Sequence, residues 1–184
     1  MSETPTLRQT ERDLTAAAEE IRTEEIPTIK ERIGDLEAKT RALPPEKATP
    51  DDWEKEYQQL KEQVRELAGT ADTYDHYAEA WTESGDCVFT LEELNGDEWA
   101  ATIDAVRAEG QNQGGSIPEG YGRVKALEFG VEDIPEGWPA DPGVWPAPVV
   151  NELFEALESI TAPKGVDLGN DSLASVRENT TDAA

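Results

Sequence analysis

Side chains that commonly act as bases or nucleophiles are scarce in this chain, which has one histidine, His76, and one cysteine, Cys87. A histidine can serve as a general base, and a thiolate beside a histidine can serve as a nucleophile. His76, however, falls in a helical pattern next to Tyr77, which favours a position on a helix surface or at the edge of a helical interface. Cys87 falls in an alternating strand pattern, which is typical of a small core residue.

Other motifs that could support chemistry are incomplete. The glycine-rich stretch "GQNQGG" lacks the Lys-Ser/Thr pair of a phosphate-binding loop, and "DPG" and "NGD" lack the ligand spacing of a calcium loop. No cysteine–histidine cluster is available for zinc, and the carboxylates are too numerous for one acid–base pair to stand out. The sequence therefore predicts a protein that is not an enzyme, with no catalytic residue, no metal and no cofactor.

The strongest pattern in the chain is a run of large or apolar residues spaced alternately four and three positions apart, as in a coiled coil. We call it the heptad stripe, and it consists of Trp53, Tyr57, Leu60, Val64, Leu67, Ala71, Tyr74, Ala78 and Trp81. Thr49 is a suitable N-cap and Pro50 suits a first helical position, so the stripe predicts one helix over residues 50–82. Two partners are open for it: another helix of this chain, or a helix of a second molecule.

A second helical pattern precedes the stripe and supplies an intrachain partner. Apolar residues recur through residues 6–43, and the prolines of "PPEKATP" end the pattern. Pro27 lacks an amide donor, so a kink is expected there. The short connector predicts an antiparallel helical hairpin over residues 6–84, with residues 1–5 disordered.

The pattern changes after residue 86. "DCVFTLEEL" alternates like a half-buried strand, and three helical patterns follow up to residue 162. Trp99 and Ile103 lie on the face of the first of these helices, and Leu153 and Phe154 lie on the last. Residues 163–184 are polar and unpatterned, which predicts a disordered tail. The fold class is therefore mainly α: a coiled-coil-like hairpin arm plus a small helical domain with one or two short strands.

The charge of the chain limits its partners. It carries 41 acidic against 16 basic residues, a net charge of −25. Such a surface repels nucleic acid and anionic lipid, so neither is an expected partner. Because the acidic residues are spread along the whole chain, adaptation to a halophilic host is favoured over a dedicated acidic face for a basic partner. No stretch has the length and apolar composition of a membrane span.

The C-terminal half resembles a known family. "VFTLEELNGDEWAATIDA", "PEGYGRVKALEFGVEDIPEG" and "DPGVWPAPVVNELFEALESI" are similar, in the order of their elements, to the tail assembly proteins, or tail assembly chaperones, of long-tailed viruses. The resemblance covers residues 86–184. It implies a strand through Phe89 and Leu91, a small helix with Trp99, later helices and a polar tail. It also implies two partners, the tape measure protein and the tail tube protein, and a location in the host cytoplasm during assembly.

Three functions follow as expectations. The first is a non-catalytic chaperone of tail assembly, from a virus of a halophilic host. The second is a structural virion protein that uses the coiled coil as a permanent interface, which would place a homo-oligomer in the virion. The third is a cellular coiled-coil adaptor of a halophile. The predicted partner-binding residues are Trp53, Tyr57, Leu60, Val64, Leu67, Tyr74 and Trp81 on the heptad stripe, and Trp99, Ile103, Leu153 and Phe154 in the small domain.

Overall fold

The computed structural model of the chain describes residues 7–44, 48–82, 87–115, 117–118 and 120–161. The protein is mainly helical with a small antiparallel sheet, which confirms the predicted fold class. The chain divides into two compact units, one formed by residues 14–80 and the other by residues 1–13 together with 81–184. The residues predicted to be disordered at the two termini, 1–5 and 163–184, lie outside the described residues.

The first unit, which we call the hairpin unit, contains only helices. Its elements are α1 (Leu14–Glu20), a π-helical turn (Ile21–Glu25), α2 (Ile26–Arg41) and most of α3 (Asp51–Trp81). The predicted interruption at Pro27 takes the form of this π-helical turn, whose last hydrogen bond runs from the amide of Ile26 to the carbonyl of Ile21. Pro27 lies in the first turn of α2, directly after the π-helical turn and Ile26.

α3 begins close to the predicted position. The amides of Trp53 and Glu54 both donate to the carbonyl of Pro50, and Asp51 and Asp52 lie in the first turn, where their charges favour the positive end of the helix dipole. The helix then runs without interruption for 31 residues to Trp81. It ends one residue before the predicted end at residue 82.

The second unit, which we call the sheet unit, combines three strands with three helices. Its elements are β1 (Gln9–Asp13), β2 (Val88–Glu92), α4 (Gly96–Asn112), α5 (Tyr121–Gly130), β3 (Val131–Asp133), a 3-10 turn (Pro142–Val144) and α6 (Ala147–Thr161). The sequence predicted one or two strands, and the sheet has a third.

β1 corrects the predicted start of the hairpin. Residues 6–13 were expected to be helical, whereas Gln9–Asp13 form a strand that pairs antiparallel with β2. The register sets Thr10 opposite Leu91 and Arg12 opposite Phe89, and β3 pairs with the other side of β2. The hairpin unit is therefore inserted, along the chain, between two paired strands of the sheet unit.

The core of the sheet unit is aromatic. Phe89 is buried on β2, and its ring meets Trp138 and Trp145 edge-on at centroid distances of 5.2 and 5.4 Å. Trp145 donates its indole N–H to the carbonyl of Pro139 at 2.7 Å. Large rings bury much apolar area per residue, so these residues stabilise a unit of modest size.

The helices of the sheet unit begin and pack as their sequence indicates. Asn95 accepts hydrogen bonds from the first amides of α4, while Glu98 accepts from the amide of Asn95, which forms a capping box. α6 packs on β1 and β2, and α5 packs on α6. Gly130 allows this last approach, because a Cβ there would lie 2.5 Å from a methyl carbon of Leu157.

Candidate helical interaction surface

The hairpin unit positions most of the heptad stripe against α2. Ile29 and Leu36 of α2 form a buried cluster with Leu60 of α3. The residues that pack around this cluster while remaining half-buried are Ile33, Trp53, Tyr57, Val64 and Leu67. The first of the two partners left open by the sequence is therefore present: the stripe meets another helix of the same chain.

Polar contacts across the helices fix their antiparallel register. The hydroxyl of Tyr57 donates to Glu37 at 3.2 Å, and Arg32 forms an ion pair with Glu56 at 3.0 Å. Glu37, late in α2, meets Tyr57, early in α3, whereas Arg22, which precedes α2, meets Asp72 and Asp75 farther along α3, and this is the order of an antiparallel hairpin. The four side chains of the first two pairs lie at the borders of the apolar seam, so they specify register more than they add stability.

Arg22 fastens the π-helical turn to α3. Its guanidinium binds Asp72 at 2.9 Å and Asp75 at 2.6 Å. The pKa of Arg22 is raised by the hydrogen bond to Asp72 and then by the one to Asp75. The π-helical turn lies directly before Pro27 and shifts the helix surface by one residue, and Arg22 is the side chain of that turn that reaches both carboxylates.

Burial is uneven along the heptad stripe. From residue 53 to residue 67 only Leu60 is buried, with 4% of its surface exposed. The next three stripe positions, Ala71, Tyr74 and Ala78, are all buried, each with 2% or less exposed. The part of the stripe nearest the connector between α2 and α3 thus keeps apolar surface that α2 does not cover. We call this part, residues 53–67, the distal stripe.

The last residue of the heptad stripe, Trp81, belongs to the sheet unit and not to the hairpin unit. Trp81 ends α3, and its ring meets Trp138 edge-on at a centroid distance of 4.8 Å. The prediction placed Trp81 with the other stripe residues on one helical surface. Its heptad spacing holds along α3, but its aromatic contact lies within the sheet unit, where the side chain is half-buried.

The predicted site residues of the small domain divide into two pairs. Leu153 and Phe154 are buried, at 0% and 3% exposed, so the prediction that they bind a partner is corrected: they fill the core under α6. Trp99 and Ile103 are half-buried on α4, and Trp99 borders a narrow apolar hollow with Phe154 and Leu157. For Trp99 and Ile103, partner binding stays a prediction.

The two side chains considered for chemistry belong to different units, Cys87 to the sheet unit and His76 to the hairpin unit. Cys87 is fully buried, and this burial, followed by the charge of Asp13, raises the pKa of its thiol to about 12. A thiol with that pKa stays protonated at neutral pH and is a poor nucleophile. His76 is exposed on α3 beside the ring of Tyr77. In the described ranges, no group of three histidine, cysteine or carboxylate side chains is arranged to hold a metal ion.

One residue of the surface was not chosen from the sequence. Ile33 packs beside the buried cluster and stays half-buried, as the distal stripe does. Its place in the apolar run from Ile29 to Leu36 was a usable signal. The heptad spacing does not show which part of the stripe stays uncovered, because it is equally regular along its length.

Comparison with known proteins returned no match to a protein-family model, a curated protein or a solved structure. Among the helices in the described part of the chain, none has both the length and the apolar character that crossing a bilayer requires.

Proposed function

We propose that this protein is a non-catalytic assembly factor that holds an amphipathic helix of a partner against the distal stripe of its hairpin. The particular setting is tail assembly in a long-tailed virus of a halophilic host, with the tape measure protein and the tail tube protein as partners. That setting rests on the resemblance of residues 86–184 alone. The helical mode of binding rests on the hairpin unit.

The uneven burial of the heptad stripe carries the proposal. A two-helix hairpin covers each seam from one side only, so large residues at its borders stay in contact with water. Trp53, Tyr57, Val64 and Leu67 are in that position, and Ile33 faces the same cluster from α2. A third helix laid along this border would bury the remaining apolar surface, as a groove-bound amphipathic helix does.

The dimensions and charge of the chain suit such a partner. α3 has 31 residues, which corresponds to about 46 Å of helix at the standard rise. A long apolar helical protein aggregates unless its surface is covered, and a binder with a net charge of −25 covers and solubilises it at once. These are the requirements for a protein that accompanies a tape measure protein before it is enclosed in a tail tube.

The test is binding between purified chains in molar salt. The first variant combines Ile33→Thr with Val64→Thr, which keeps β-branched side chains but places hydroxyls on the half-buried border. The matched control combines Gln59→Thr with Gln63→Thr on the exposed side of α3. We expect the first variant to bind the tape measure protein of the same virus at least about tenfold more weakly, which corresponds to about 1.4 kcal/mol.

The control should bind like the wild type, and circular dichroism should show the same helix content for all three proteins. If the two variants bind equally well, or if the wild type leaves the tape measure protein insoluble, the distal stripe is not the binding surface. If only the first variant loses helix content, Leu67→Met is measured as well. This substitution keeps an apolar border of similar volume, so it should retain binding.

A further inference from the structure

A groove in the sheet unit lies between α5, β3 and the 3-10 turn. It encloses about 370 Å³, within the range of protein binding pockets. Apolar residues such as Ile134 and Trp145 line it together with the carboxylates of Glu128, Glu132, Asp133 and Asp141. No residue of the groove belongs to the hairpin unit, so whatever binds here is separate from the helix proposed for the distal stripe.

The carboxylates make the groove attractive to a cation. All four are exposed at its borders. Lys125 shows the effect of this negative charge on a cation. Its ammonium lies 2.6 Å from Glu128, and its pKa is raised mainly by that hydrogen bond, with a smaller contribution from the charge of Asp141. A second positive group entering the groove would meet the same carboxylates.

Two exposed apolar side chains come from the elements that line the groove, although neither is itself one of its lining residues. Val144, in the 3-10 turn, is 59% exposed, and Phe129, in α5, is 44% exposed. Apolar side chains beside a concave, charged site are typical of a surface that binds another protein. The groove therefore combines apolar contact with negative charge.

The third element that lines the groove is β3, a strand at the edge of the sheet. The strand order is β1-β2-β3, so β3 pairs with β2 on one side and, within the described residues, with no strand on the other. All three residues of β3, Val131, Glu132 and Asp133, line the groove. An open strand edge accepts an extended segment through main-chain hydrogen bonds, while neighbouring pockets accept its side chains.

We propose that the groove binds an extended segment of a partner protein in which basic and apolar residues alternate, and that this segment adds to the edge of β3. Its lysine or arginine side chains meet Glu128, Glu132, Asp133 and Asp141, and its apolar side chains contact Ile134 and Trp145. The charge complementarity selects this occupant over a second copy of the acidic chain, over nucleic acid and over an anionic membrane.

The probe is a synthetic hexapeptide of alternating lysine and valine, with a hexapeptide of alternating glutamate and valine for comparison. Binding to the full chain is measured by isothermal titration calorimetry at the lowest salt concentration at which circular dichroism shows the full helix content, because molar salt would screen the charges under test. The contact site is located by amide chemical shifts and hydrogen exchange. We expect the lysine peptide to bind, the glutamate peptide not to bind, and the amides of β3 to become protected.

Two variants and a control locate the site. Glu128→Gln with Asp133→Asn removes two charges from the groove, and Ile134→Ser removes a half-buried apolar side chain that lines it. Glu11→Gln with Glu155→Gln removes two exposed carboxylates elsewhere in the sheet unit. We expect the charge variant to weaken binding at least about tenfold, Ile134→Ser several-fold, and the control less than about twofold.

Some results would overturn the proposal. If the lysine peptide does not bind the wild type, the groove is not a site for such a segment. If the control loses as much affinity as the charge variant, the peptide is held by the overall negative charge alone. Binding that leaves the β3 amides unprotected would exclude addition to the strand edge.

Discussion

Gly137 shows how a single residue determines local packing in the sheet unit. Its φ of 90° lies in the left-handed region, and a Cβ there would lie 2.3 Å from the carbonyl oxygen of Trp81. The next residue is Trp138, whose ring contacts Trp81 and Phe89. The close approach of the backbone at Gly137 therefore brings the aromatic core together.

Gly115 provides a matched control for this position. Its φ of 93° is almost the same, but nothing lies within 4 Å of the position that a Cβ would take. Gly115→Ala should cost only the left-handed strain, about 1 to 2 kcal/mol. Gly137→Ala adds a clash with backbone and should cost at least about 2 kcal/mol more. Urea unfolding in molar salt measures both, and equal losses would contradict the close approach.

Glu93 determines a pH dependence at the edge of the sheet unit. The hydrogen bond from Arg8 lowers the pKa of Glu93 to about 2, against its ordinary value of 4.5. The two guanidinium–carboxylate contacts measure 2.7 and 2.9 Å. Because the folded pKa lies below the unfolded one, the contribution to stability is present above about pH 4.5 and disappears as the pH falls toward 2.

The titration of Glu93 can be followed by NMR of its carboxyl carbon. The midpoint should lie well below that in Arg8→Met, in which it returns toward 4.5. Arg107→Met removes the partner of Asp104 instead and should leave the midpoint unchanged. Both side chains are partly exposed, so added salt should reduce the difference without reversing it. Equal midpoints in the wild type and Arg8→Met would show that the ion pair does not form.

At the scale of elements, the hairpin unit depends on a thin core around Leu60. This side chain is 4% exposed and joins Ile29 and Leu36, while its neighbour Gln59 is exposed. A core with so few fully buried side chains cannot compensate for the loss of one of them.

Leu60→Ala should therefore lower the free energy of unfolding of the hairpin by about 2 to 5 kcal/mol. Gln59→Ala, on the exposed side of the same turn, should change it by no more than about 0.5 kcal/mol. Thermal unfolding followed by circular dichroism compares the two. A loss for Leu60→Ala as small as that for Gln59→Ala would show that α2 does not cover this part of the stripe.

The elements also differ in how far their sequences predicted them. α3 and α4 have local signals, an apolar period and a cap, and both formed as predicted. β1 has no such signal: its sequence, "QTERD", lacks alternating apolar residues, and Leu7, Leu14 and Ile21 continue a helical spacing through it. Its strand conformation depends on pairing with β2, about 80 residues later in the chain.

The two candidate surfaces also differ in whether a local sequence signal indicates them. The heptad stripe was predicted from spacing, because a helix places such residues on one face. The acidic groove was not predicted, because Glu128, Asp133 and Asp141 come from three elements whose approach depends on tertiary packing. Local periodicity indicates a surface on one helix, but not a cavity shared between elements.

At the scale of the whole molecule, charge is the dominant property. A net charge of −25 on 184 residues produces self-repulsion that favours expansion at low salt. The ion pairs within the hairpin unit, such as those of Arg22 and Arg32, offset part of this repulsion locally. Salt screens the remainder, since the Debye length falls to about 3 Å at 1 M.

The melting temperature should therefore rise markedly between about 0.1 M and about 2 M potassium chloride, the range over which charge repulsion is screened. Sucrose at matched osmolality is the control, because it favours compact states without screening charge. A melting temperature that rises equally in sucrose, or that stays constant in salt, would contradict the reading of the acidic surface as an adaptation to high salt.

If this protein is an assembly factor, as we propose, it acts while the tail is being built and is missing from the finished particle. Quantitative mass spectrometry of purified virus particles, with the tail tube protein as internal reference, tests it directly. We expect the chain to be abundant in infected cells and absent from particles. A fixed ratio to the tail tube protein in particles would contradict the claim and would make the hairpin a permanent part of the virion.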